Sequence, residues 1–174
     1  MIAIAAVDDN WGIGYDNELL YRLPEDMKHF KKLTTDNIVV VGKNTYNSIG
    51  PLPNRINVVL SREEQTFEYD NVIFSTIDTL GEKLEELKKI YPEAKVYLIG
   101  GEKAYYNLID YCDTAIITHI HSDKHANRFF PNLNRRKNWK FENSTFSEVS
   151  SKDNLVYDII TYNQNEDSVK ALWP

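Results

Sequence analysis

Val40-Val41-Gly42-Lys43-Asn44-Thr45 and Leu98-Ile99-Gly100-Gly101-Glu102-Lys103 follow one local plan: an aliphatic run, glycine at its end, then residues that open a helix. Apolar runs of this kind are strands covered on both faces, and the glycine marks the change from a period of two to one near 3.6. At such a turn the free N–H groups and dipole of the helix point past the strand's end, which suits an anion. The adjacent glycines 100 and 101 also remove both Cβ atoms and let backbone approach a ligand closely. Either turn alone is ordinary chain punctuation, whereas two of them suit a dinucleotide.

Outward from these turns, residues 2–7, 38–41, 57–60, 72–74, 96–99 and 115–120 read as strands. Residues 24–33, 44–49, 80–90 and 102–108 carry helical spacing or helix-entry signals. Strand and helix alternate, which predicts a mainly parallel α/β sheet. Residues 139–146 and 155–162 instead flank the polar turn Ser150-Ser151-Lys152-Asp153-Asn154, as in an antiparallel hairpin. The expected fold is a single α/β domain over residues 1–163: a mainly parallel central sheet flanked by helices, with a C-terminal antiparallel hairpin. Residues 164–174 read as a polar tail without an assigned place, and Trp173 has no assigned role. Residues 8–23 form a long connection rich in Asp, Asn and Gly, a candidate lid because such loops are unusual in a compact domain unless they cover a site.

With 42% apolar residues, the 174-residue chain can bury a substantial core as one domain. A net charge of −6 without a clustered basic face argues against nucleic acid, and Arg135-Arg136-Lys137 reads as a solvated loop. No run approaches the length of a membrane span, and Met1-Ile2-Ala3-Ile4 lacks the basic region of a signal peptide. The expectation is a cytoplasmic monomer acting on a small molecule, with neither nucleic acid nor membrane as partner. Cys112, the one cysteine, reads as a small buried apolar residue.

For acid chemistry the informative segment is Leu23-Pro24-Glu25-Asp26-Met27-Lys28-His29-Phe30. Pro24 suits a first helical turn, and Asp26 and Phe30 are four apart, so a carboxylate and a ring share a face with apolar Met27 and Leu33. A carboxylate so placed has its charged form disfavoured and is able to hold or relay a proton near neutral pH; the plainer alternative is an acidic residue favoured by the helix dipole. Glu25 is expected to be that plain, exposed case. Leu60-Ser61-Arg62 puts a hydroxyl and a guanidinium at a strand's end, suited to a ribose-linked phosphate. Gly12-Ile13-Gly14 resembles the opening of a Rossmann fingerprint, but Tyr15-Asp16-Asn17 follows and the third glycine is missing. His119 and His121 alternate along a strand and share a face, yet the sequence places no further carboxylate or cysteine to complete a set, so no metal is expected. Ser150-Ser151 lacks any G-x-S-x-G context.

Taken in order and spacing, these segments resemble the dihydrofolate reductase family over nearly the whole chain, with Pro51-Leu52-Pro53-Asn54-Arg55, Ile99-Gly100-Gly101 and Thr118-His119 among the specific stretches. The resemblance implies hydride transfer from NADPH C4 to pterin C6 of dihydrofolate with protonation at N5, giving tetrahydrofolate. It implies that Asp26 is the single active-site carboxylate, braced by Thr118, with Tyr21 as a water anchor. Ile4, Ala5, Met27, Phe30, Ser48, Ile49, Leu52 and Ile99 would line the pterin and benzoyl pocket, and Arg55 would pair with the substrate's α-carboxylate. Ala6, Ile13, Gly14 and Leu19 would lie along the nicotinamide. Gly42, Lys43, Asn44, Thr45, Gly100, Gly101, Glu102, Lys103, Ala104 and Tyr105 would surround the phosphates, and Leu60, Ser61 and Arg62 with Lys43 the 2′-phosphate. The Gly100-Gly101 peptide would be cis, as is usual in the family.

Three departures from the family pattern stand out. Leu20-Tyr21 occupies the place of a common Pro-Trp, Lys43 that of a common arginine, and Asn127-Arg128 that of an acidic residue and threonine. Two rival readings remain open at this level. A riboflavin-pathway reductase of the same fold would lack the Asp26, Phe30 and Arg55 set, and a noncatalytic nucleotide-binding module would bind NADPH without folate.

Overall fold

The structure is a computed structural model that describes residues 1–63 and 69–172; Trp173 lies outside the described residues. The elements in chain order are β1 (Ile2–Val7), β2 (Gly12–Tyr15), β3 (Glu18–Leu19), α1 (Pro24–Thr34), β4 (Ile38–Gly42), α2 (Lys43–Ile49), β5 (Ile56–Leu60) and β6 (Val72–Ser75). They continue with α3 (Ile77–Ile90), β7 (Val96–Gly100), α4 (Glu102–Leu108), β8 (Thr114–Ile120), β9 (Arg128–Phe129), β10 (Trp139–Ser144), β11 (Glu148–Val149) and β12 (Val156–Gln164).

The main sheet has the order β10-β12-β8-β1-β7-β4-β5-β6, with β11 paired to β12. From β8 to β6 every pairing is parallel, and β12 and β10 are added antiparallel. This is the mixed α/β sheet expected from the alternation of patterns. Its centre is a row of valines, 39, 40, 41, 58 and 59, with no accessible surface. Each contributes about 1.5–3 kcal/mol relative to exposure, so helices must cover both faces and only the strand ends stay open. Between Val40 and Val41 the β7 partner jumps from Leu98 to Gly100, a bulge that leaves Ile99 unpaired beside the second glycine turn.

The connection over residues 8–23 is more regular than its composition suggests. β2 and β3 form a hairpin through Asp16 and Asn17, both at positive φ (48° and 65°), and β9 completes a separate three-stranded sheet. The glycines of the Gly12-Ile13-Gly14 stretch serve this packing and no fingerprint turn: a Cβ at Gly12 would lie 2.7 Å from the Ala126 Cβ, and one at Gly14 would lie 2.8 Å from the Glu18 carbonyl oxygen. Asp8 anchors the start by accepting from the N–H of Asn10 (3.0 Å) and Gly12 (2.8 Å).

The tail boundary drawn at residue 163 falls inside a strand. β12 runs through Gln164, whose side chain donates to the Cys112 carbonyl at 2.6 Å, and the Lys170 N–H donates to the Asp110 carbonyl at 2.9 Å. Leu172 packs against the core. Polarity hid this because the side chains are used in bonding: Asn163 donates to Glu142 at 2.6 Å.

The turn at 150–154 lies as expected between β11 and β12, and it captures Glu25. The carboxylate accepts from the Ser151 N–H (2.7 Å) and the Ser150 hydroxyl (3.2 Å), which, led by the Ser151 backbone bond, hold it at about 2. Glu25 is therefore an engaged residue, contrary to its plain sequence reading. A depressed carboxylate stabilises the fold above its unfolded pKa and loses that contribution as pH falls through its folded value. Glu25→Gln should lower the melting temperature at pH 7, and the gap between variant and wild type should close between about pH 4.3 and pH 2, as followed by thermal denaturation monitored by circular dichroism.

Candidate active site

Asp26 sits in the first turn of α1, where Pro24 starts the helix in place of a side-chain cap. One oxygen accepts a 2.6 Å hydrogen bond from the hydroxyl of Thr118, a buried residue of β8. Burial raises the Asp26 pKa above the usual carboxylate range, opposed by the Thr118 bond and by His29 nearby. His29 lies one turn farther along α1; its Nε2 is buried without a hydrogen-bond partner, and its own pKa is lowered by burial. The sequence reading missed His29. The signal was available in the three-residue spacing from Asp26 on one helix face.

Beside this carboxylate the apolar floor is built from β1, β4, β7 and α1 with the loop residue Leu52. Ile4 of β1 packs in one cluster with Val39 and Tyr97, joined by half-buried Phe30 of α1, Leu52 and the bulged Ile99. Ala5 and Ala6 are half-buried along β1, whereas Met27, Ser48 and Ile49 are exposed. Exposed Met27 and Ile49 are apolar side chains at the surface that the core does not take up. Tyr105 is buried under Gly100, and its hydroxyl donates to the Ile4 carbonyl at 2.7 Å, fixing α4 against β1.

Arg55 is buried, with its guanidinium donating to the Pro53 carbonyl (2.9 Å) and the Thr34 hydroxyl (3.2 Å). Among the described residues no carboxylate pairs with it, and burial lowers its pKa. A buried cation bonded only to neutral groups is poised for an external anion.

The two glycine turns come together at the ends of β4 and β7. The Gly100–Gly101 peptide is cis. A Cβ on Gly101 would lie 2.7 Å from the Thr45 hydroxyl, so any larger residue would displace that side chain, and neither α2 nor α4 has a side-chain N-cap to occupy its first N–H groups. Gly42 pairs in register with buried Leu60, which brings Lys43 and Ser61 to neighbouring strand ends, with exposed Arg62 next. Among the described residues neither Lys43 nor Arg62 has an acidic partner. Asn44 and Lys103 are exposed, and Ala104 is buried beneath the turn. Glu102 differs: its carboxylate accepts from the Phe129 N–H at 2.6 Å, tying α4 to β9 and the small sheet that carries Ile13, Gly14 and exposed Leu19.

Tyr21 is the site residue that geometry does not bring to Asp26. It packs with Leu23, Ile120 and Tyr157, the Lys124 ammonium lies 4.5 Å over its ring, and no interaction joins it to Asp26. Its hydroxyl is buried without a hydrogen-bond partner, beside Ser122 but outside bonding geometry, and burial raises its pKa. Unlike an indole, whose N–H extends from the side of the ring, the phenol carries its polar atom at the tip, and here that tip lies toward the Asp8 and Ser122 side.

A family profile described as Dihydrofolate reductase matches residues 1–164. The chain belongs to the dihydrofolate reductase family. It is 34% identical over 167 residues to the dihydrofolate reductase of Bacillus subtilis (strain 168), covering 95% of each chain. It is 30% identical to the type 9 dihydrofolate reductase of Escherichia coli, over 90% of this chain and 89% of that one. Among solved structures it superposes on the dihydrofolate reductase of Enterococcus faecalis complexed with NADP(H) and RAB-propyl, with a TM-score of 0.74, 30% identity, and coverage of 95% and 96%. In this family member the acidic site is thus one carboxylate, one buried threonine and an apolar floor, with Lys43, Arg62 and the glycine turns at the sheet end.

Thr118→Val should push the Asp26 pKa still higher and cost about 1.5–3 kcal/mol where Asp26 is ionised, the range for a hydrogen bond to a charged group. Denaturant melts across pH should show the loss shrinking once Asp26 is protonated in both proteins.

Proposed function

We propose that this dihydrofolate reductase reduces 7,8-dihydrofolate to 5,6,7,8-tetrahydrofolate with NADPH, and that the reading is carried by one observation: a single carboxylate, Asp26, raised by burial and braced by Thr118 beside an apolar floor. Asp26 binds the pterin's amino group and ring nitrogen. Held above its ordinary pKa, it takes up a proton more readily than an exposed carboxylate and is suited to raise the proton affinity of N5 through the ring and water. Ile4, Ala5, Phe30, Leu52 and Ile99 line the ring pocket, with Met27, Ser48 and Ile49 around its mouth. Arg55, buried without an acidic partner, takes the α-carboxylate of the substrate's glutamate.

The residues at the ends of β4, β5 and β7 fit a phosphorylated dinucleotide, since a Cβ at Gly101 would fill the space beside Thr45 and, among the described residues, Lys43 and Arg62 have no carboxylate partner. NADPH supplies the hydride, from nicotinamide C4 to pterin C6. Thr45 and the turn at Gly100, Gly101, Glu102, Lys103 and Ala104 hold the phosphates, and Lys43, Ser61 and Arg62 hold the 2′-phosphate. Ala6, Ile13, Gly14 and Leu19 border the nicotinamide side and exclude water. Tyr21 supports the site through packing, since no contact links its hydroxyl to Asp26. The working unit is a monomer in the cytoplasm.

Asp26→Asn should lower dihydrofolate-dependent NADPH oxidation at pH 7 by about a hundredfold or more, with NADPH affinity nearly unchanged; unchanged turnover would remove Asp26 from the reaction. Arg62→Ala should weaken NADPH binding about tenfold or more and leave NADH use unaffected, as the loss of charge-assisted bonds to one phosphate requires. Equal effects on both cofactors, read from the two KM values, would place Arg62 elsewhere.

A further inference from the structure

On the side of β8 away from Asp26, three residues from distant parts of the sequence meet. His119 lies on β8 and His121 just past its end, and Asp9 follows β1, the parallel neighbour whose Val7 is in register with His119. Asp9 Oδ1 lies 2.8 Å from His119 Nε2 and 4.0 Å from His121 Nδ1, and the imidazole centroids are 4.6 Å apart. One donor atom from each of the three lies within 4.8 Å of the other two. The fold therefore supplies the carboxylate that the sequence left missing.

We propose that Asp9, His119 and His121 bind a borderline divalent transition ion of the Zn2+ class. Two imidazoles and one carboxylate are the donor set such ions prefer over Mg2+ or Ca2+. The decisive feature is a fourth residue. Asp158 of β12, opposite His119 in register, lies with Oδ2 2.6 Å from His121 Nε2, and it is itself held by the Ser147 hydroxyl. A carboxylate on one ring nitrogen fixes the proton there and leaves the other lone pair free, the arrangement found behind metal-bound histidines. In His121 the free atom is Nδ1, the one that faces Asp9.

His119 stands on β8 between β1 and β12, and His121, one residue past the strand, donates its N–H to the Val156 carbonyl of β12 at 2.8 Å, so backbone bonds hold both positions. Bonds of about 2.0–2.2 Å to a tetrahedral ion need donors closer together than the 4.0 Å between Asp9 and His121, a contraction that small rotations of exposed Asp9 and His121 provide. The open side faces solvent and leaves a position for water. Asp9 adjoins Asp8, the residue that anchors Gly12, so an ion here would tie the root of the β1–β2 connection to β8.

The test is isothermal titration of chelator-treated protein with Zn2+, followed by Co2+ as a spectroscopic probe. One saturable site is expected, with Co2+ giving visible bands of a nitrogen- and oxygen-ligated ion. Asp9→Ala and His121→Ala should each weaken Zn2+ binding by about tenfold or more, and Asp158→Asn by about 10–100-fold with stoichiometry kept, while His125→Ala should bind as wild type. Absence of saturable uptake by the wild type, or uptake indifferent to Asp9→Ala and His121→Ala, overturns the proposal. Should either variant misfold, paramagnetic broadening by Co2+ in the wild type decides: it must centre on the His119 and His121 resonances, and broadening elsewhere refutes the site.

Discussion

The valines of β4 and β5 have no accessible surface on either side of the sheet, and this constraint decides where ligands can be held. A parallel sheet covered on both faces offers only its strand ends to solvent. At the ends of β4 and β7 the chain must turn into a helix while two turns lie side by side, and a Cβ on Gly101 would press on the Thr45 hydroxyl. The same geometry leaves backbone N–H groups of α2 and α4 without side-chain caps. The core and the glycine-turn edge are thus one physical solution, since the chain that shields the sheet must also turn at its end.

Much of this was legible in the sequence because long apolar runs and glycine punctuation are local signals. The parallel strands, the four helices and the pairing of Asp26 with Thr118 followed from pattern and from family resemblance. What was hidden depends on contacts between distant segments. Asp16-Asn17 lacks the glycine of a strong hairpin signal, yet both residues take positive φ because β9, more than a hundred residues on, supplies a partner strand. Glu25 looks like an ordinary first-turn acid until the Ser150-Ser151 turn arrives from the other end of the chain. The β12 strand escaped notice past residue 162 because its polar side chains bond inward to Cys112 and across to Glu142. Tyr21 shows the opposite failure: family position suggested a role that the direction of a phenol tip does not support.

Glu25 and Asp26 are neighbours in one helical turn, share one dipole, and are shifted in opposite directions. The dipole favours a negative charge at both, so it cannot be the cause of the difference. Partner and dielectric are. Glu25 faces outward and gains a backbone N–H, so its ionised form is stabilised and the fold gains from it above the unfolded carboxylate pKa. Asp26 faces inward, where one threonine hydroxyl and a nearby histidine do not offset the loss of water. For a carboxylate raised on folding the linkage runs the other way. The folded state binds more protons than the unfolded one between the two pKa values, so stability falls as pH rises through that window and the loss is complete above it. Above that window the protein therefore carries Asp26 as a cost, and the engaged Glu25 one residue away contributes in the opposite sense. A carboxylate whose only service was structural would be better placed where Glu25 is, so the inward position of Asp26 is the one that stability alone does not account for.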